Sequence, residues 1–104
     1  MADLTAEKVT SAGLVATLHN AASGGDTFPF GAVVRVSNGG ESEVTVTVVT
    51  PVTVDGLAVD DRDIPVAAGT AVYIRPTVDY RDAETKTVQL LYSDVTGVTV
   101  EVIN

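Results

Sequence analysis

Few residues of this chain carry reactive or ligating chemistry. His19 is its only histidine, the one side chain whose ordinary titration range lies near neutrality. As a general base it would need a serine brought to it from Ser11, Ser23, Ser37, Ser42 or Ser93, and none of these stands in a G-x-S-x-G turn. The densest carboxylates are Asp60, Asp61 and Asp63 in "VDDRD", and clustered oxygens are what Ca²⁺ takes. Their spacing departs from the D-x-[DN]-x-[DN]-G loop, and Arg62 among them opposes a cation. The run therefore reads as charge on an edge strand, which discourages sheet-to-sheet pairing. The pairs Gly24-Gly25 and Gly39-Gly40 lack the Gly-Lys-Ser/Thr of a phosphate cradle and read as turns. No cysteine is present, so neither a disulfide nor a thiolate metal site can form. These features point to a protein that is not an enzyme, with no cofactor and no metal.

Contact chemistry is easier to find. "GGDTFPFG" places Phe28, Pro29 and Phe30 in a small, polar, Gly-rich segment, where the two rings would either plug a sandwich end or anchor to a partner. "DYRDAE" offers Tyr80 with Arg81 in a charged segment, either as a contact loop or as a tyrosine packed on its own edge. Phe28, Pro29, Phe30, Tyr80 and Arg81 are thus the candidate partner-contact residues.

Strands must position them. At 104 residues the chain fits one domain, residues 1–104, and its valine and threonine suit pleated, half-buried strands. Residues 1–13 read as an N-terminal arm, within which 4–11 is either a two-turn helix, capped by Asp3 or Thr5 and stopped at Gly13, or extended. Alternation in "LVATLH" predicts a strand over 14–19, and residues 20–31 read as the longest irregular segment. "AVVRVSN" and "ESEVTVTVVT" flank Asn38-Gly39-Gly40 as a hairpin, and "TVQLLYS" and "GVTVEVI" suggest another around residues 94–97. Between them come a bend at Pro51, a turn at Asp55-Gly56, an extended "IPV", a turn in "AAGT" and a strand "AVYIRP" ended by Pro76. Residues 77–86 read as a loop. Within "EVTVTVVTPVTV", Val44, Val46 and Val48 share an inward face that resumes at Val52 and Val54, with Thr45, Thr47 and Thr53 opposite. Seven or eight short strands without a helical period make an antiparallel β-sandwich the expected fold.

A formal net charge of −8 argues against nucleic acid as a partner, because phosphate backbones are bound by clustered cations. The first residues lack a basic-then-apolar leader, and no apolar run approaches a bilayer span, so neither export nor a membrane is expected. Valine in excess of one thin core suggests that a neighbouring chain covers some of it.

The order "GDTFPFGAVVRVSNGGES", "VTVTVVTPVTVDGLAVDDRDIPVAAGTAVYIRP" and "VQLLYSDVTGVTVEVI" resembles small Val/Thr-rich virion structural proteins of tailed bacteriophages, chiefly of actinobacterial hosts. The likeness runs from about residue 4 to residue 103. It implies a protein made in the host cytoplasm that decorates and cements the capsid exterior. It further implies the major capsid protein as partner and a homo-oligomer, a trimer by preference. Relatives often carry a polar or basic residue shortly after the "FP" pair, where this chain has Phe30-Gly31. A head-to-tail connector, a tail component and an immunoglobulin-like module for host-surface glycans are the alternatives.

Overall fold

The computed structural model describes residues 2–51 and 53–104; Val52, placed by its spacing on the inward face, lies outside them. The fold is all-β. Its strands are β1 (Ala2–Asp3), β2 (His19–Asn20), β3 (Asp26–Pro29), β4 (Val33–Asn38), β5 (Val44–Val48), β6 (Thr53–Val54), β7 (Leu57–Ala58), β8 (Arg62–Val66), β9 (Ala71–Ile74), β10 (Thr87–Tyr92) and β11 (Val98–Ile103). One 3₁₀ turn, Val78–Tyr80, interrupts the last long loop.

Period-two alternation builds the core. β5 buries Val44, Val46 and Val48, β4 buries Val34 and Val36, and β11 buries Val98, Val100 and Val102, while the residues between them face outward. These valines close around Phe28, Leu90 and Val88 between two sheets. One sheet runs β1-β3-β10-β5-β8 and the other β2-β11-β4-β9, with the ribbon β6-β7 separate. If β1 and the ribbon are set aside, eight strands remain. Their sheets then read 2-7-4-5 and 1-8-3-6, and every connection except β5 to β8 crosses between sheets. That is the strand order of a jelly roll, a double-sheet form of the sandwich.

Both hairpins expected from the sequence are replaced by crossovers. β4 pairs with β11 and β9, whereas β5 pairs with β10 and β8, so the two arms around Asn38-Gly39-Gly40 lie in different sheets. β10 and β11 are divided in the same way. Alternation requires only that each strand bury one face, and two inner faces that meet across the core satisfy it as well as two strands side by side. Asn38 decides the matter locally. It is 1% exposed, its Nδ2 donates to the Ser42 carbonyl (2.7 Å) and the Val66 carbonyl (3.0 Å), and its Oδ1 accepts from the Gly40 N–H (3.0 Å). The side chain thus ties the β4–β5 crossover to the end of β8. Gly97, at φ 73°, lies against Gly40, where a Cβ would come within 2.9 Å of the backbone nitrogen.

Other expectations change too. Residues 4–11 form no helix and run as an extended arm. Leu4 N–H donates to the Thr27 carbonyl (2.7 Å), Glu7 N–H to the Val102 carbonyl (3.0 Å) and Val9 N–H to the Asn104 carbonyl (3.1 Å), so the arm passes from the edge of one sheet to the edge of the other. The strand expected over 14–19 is reduced to His19–Asn20, with Val15 95% and Leu18 59% exposed. The irregular segment 20–31 contains strand β3. Val54 is not inward but 62% exposed. The Asp55-Gly56 turn forms as expected, with φ 52° and 76°, joining β6 to β7.

Candidate functional site

The two segments expected to make contacts meet in space, but not all their side chains reach the surface. Phe28 is 1% exposed on the inner face of β3, so as a partner contact it is corrected: it fills the core. Pro29 ends the same strand, half-buried. Phe30 is half-buried against the core, its N–H donates to the Lys86 carbonyl (3.0 Å), and the Arg81 guanidinium stands 5.3 Å from its ring centre. That stacking attaches the 77–86 loop to the end of β3. Tyr80 packs on the core edge, and its hydroxyl accepts from Arg62 Nε (3.0 Å), which ties the same loop to β8.

Tyr80 stands between two clefts. One, about 470 Å³, has Asp3, Thr27, Asp82, Thr87 and Gln89 along its wall. Its polar groups are already engaged: the Thr27 hydroxyl donates to Asp3, and Asp82 accepts the N–H groups of Glu84 (2.8 Å) and Thr85 (3.2 Å). Those backbone donors hold the Asp82 carboxyl below the usual carboxylate range. The other cleft, about 560 Å³, opens between the free edges of β8 and β9 and is lined by Ile64, Val72, Ile74 and Pro76 with Arg62, Arg75, Tyr73 and Asp79. Apolar floor, aromatic rings and arginines are the composition of an interface. Tyr73 is 67% exposed there, with Arg35 5.9 Å from its ring centre and in turn paired with Glu101 at 2.9 Å.

The residues weighed for reaction chemistry are dispersed. His19 is half-buried on β2, and no hydrogen bond among the described residues joins it to a serine. Asp63 accepts from the Thr47 hydroxyl (2.8 Å) and Asp61 from the Thr50 N–H (2.7 Å), so the acidic run fastens the start of β8 to β5. Among the described residues no group of three or more His, Asp or Glu is placed to hold a metal ion. No helix among them is long and apolar enough to cross a membrane.

A buried polar pair also escaped sequence reasoning. Asp26 is 1% exposed, and its Oδ2 accepts from the Tyr92 hydroxyl (2.7 Å) and the Ala22 N–H (3.3 Å), while Oδ1 has no partner among the described residues. Burial, with Asp26 beside it, pushes the Tyr92 phenol well above its ordinary value. Gly25, at φ 94°, permits this close approach, since a Cβ would fall 2.4 Å from the Leu90 carbonyl oxygen. Nothing local marks Asp26 and Tyr92 as partners, nor Arg62 as a neighbour of Tyr73 and Arg75; only sandwich closure joins them. The chain matches no protein-family model, no curated protein and no solved structure with which it was compared.

Proposed function

We propose that the protein is a non-enzymatic structural component of a bacteriophage virion, a homo-oligomer that decorates the capsid exterior and binds the major capsid protein. The observation that carries this reading is the division of labour among side chains. Polar groups suited to chemistry serve as struts within the fold, as Asp61, Asp63 and Asp82 do, whereas apolar and aromatic side chains such as Leu57 and Tyr73 stand in solvent. Such a surface suits protein contacts. The resemblance of the strand and turn segments to phage virion proteins supplies the setting. Jelly rolls also recur among viral capsid proteins, a support by analogy of fold alone. Weak contacts suffice for cementing, because repetition over a shell multiplies them.

The test is copy number in purified particles by quantitative gel or mass analysis. Decoration requires copies in proportion to the capsid subunits; a single ring's worth per particle would move the protein to a connector or the tail. Tyr80 on the wall of the smaller cleft, an aromatic face of the kind sugar rings stack on, favours the second reading, a host-surface glycan module. Glycan-array binding by the isolated protein would support that reading against the first.

A further inference from the structure

Two surfaces of this chain are left uncovered, and their chemistry is complementary. The first is the β6–β7 ribbon. Every residue described from 53 to 63 is exposed, with Val54 at 62%, Leu57 at 71% and Val59 at 38%. An isolated two-stranded ribbon is marginal in water, so covering its apolar side chains is favourable. It carries Asp55, with Asp60 and Asp61 following, and no cation before Arg62. The second surface is the open flank between β8 and β9, where Ile64, Val72 and Ile74 form an apolar floor beside Arg62, Tyr73 and Arg75. In a chain of formal net charge −8 with four arginines, two of them line this one cleft. Asp79 at its side offsets only one of these charges. The ion pair among the described residues joins Arg35 to Glu101 and leaves Arg75 free. An acidic, apolar segment is what such a cleft attracts.

We propose that the β6–β7 ribbon of one copy docks on the β8/β9 flank of a second copy. Val54 and Leu57 cover the apolar floor, and the aspartates meet Arg62 and Arg75. The ribbon runs into β8, so each copy presents ribbon and cleft side by side. A two-fold axis forms both contacts at once, and a rotation of higher order closes a ring by the same contact. The inference deepens the homo-oligomer part of the reading above and does not depend on its capsid part.

Sedimentation velocity of the full chain over a concentration series tests it. The expected result is a concentration-dependent closed oligomer. Leu57→Asp and Arg75→Glu each weaken it about tenfold or more, and both leave the circular dichroism and melting of the subunit unchanged, as exposed positions should. Asp60→Lys weakens it too, and combining Asp60→Lys with Arg75→Glu restores part of the loss. A wild-type chain that stays monomeric at every concentration overturns the inference, as does an oligomer indifferent to Leu57→Asp. A monomer that binds capsids and loses that binding with Leu57→Asp assigns the ribbon to the capsid protein, which overturns this inference and leaves the proposed function standing. Self-association through the ribbon by a protein that never binds capsids does the reverse.

Discussion

At one flank of the sandwich the outer strands β3 and β11 receive hydrogen bonds from residues 2–9 and from β2; at the other, β8 and β9 end their sheets with no further strand beside them among the described residues. The arm buries Leu4 to 9% exposure and leaves little edge to template another chain. On the open flank Pro65 and the charges of Arg62 and Asp63 guard β8, and a cleft with an apolar floor lies exposed between the two edges. One flank is thus built for the stability of the monomer. The other keeps the uncovered surface on which the proposed self-association rests.

Substitutions on either side of the molecule should expose that difference. Phe28→Ala, in the core beneath the closed flank, should cost about 3–5 kcal/mol in chemical denaturation, because the void cannot collapse among short valines. Leu4→Ala should cost about 2–4 kcal/mol by the same measurement, although the residue lies so near the terminus. A negligible loss would mean that the arm does not hold the flank shut. Tyr92→Phe should cost about 1–3 kcal/mol, since it strips Asp26 of its best donor. It should also change the alkaline limb of a denaturation–pH profile. The folded phenol holds its proton above the ordinary value of 10.0, whereas the unfolded one loses it there. The associated stability is therefore complete below about pH 10 and declines as pH rises further, and the Phe variant should show a shallower decline. Smallest of all, Tyr73→Ala on the open flank should change subunit stability by less than about 0.5 kcal/mol while weakening self-association. A large stability loss there would erase the distinction between the flanks.

Much of the local structure was legible beforehand. Val44, Val46 and Val48 face inward as their spacing required, the Asp55-Gly56 turn forms, and the strand before Pro76 ends at Ile74. The contact residues were read less well. Phe28 and Phe30 sit two apart on either side of a proline, where alternation alone would put both rings on one face; β3 ends at Pro29 and the chain turns at Phe30, so Phe28 fills the core while Phe30 rests half-buried against Arg81. Both assignments satisfy the local sequence. Tyr73 and Arg75 stand two apart in one segment, but their meeting with Arg62 was not visible, because it depends on β8 and β9 ending different sheets on the same side.

By itself the sequence determined where strands could run, which of their faces were apolar and where the chain could reverse, since each of these is settled within a few residues by backbone sterics and period-two burial. Only the tertiary structure decided which strands pair, which flank the arm closes and which stays open. Valine strands of equal apolarity are interchangeable as neighbours until the core is filled and a buried side chain such as Asn38, bonded to Ser42, Val66 and Gly40, sends the chain across to the other sheet.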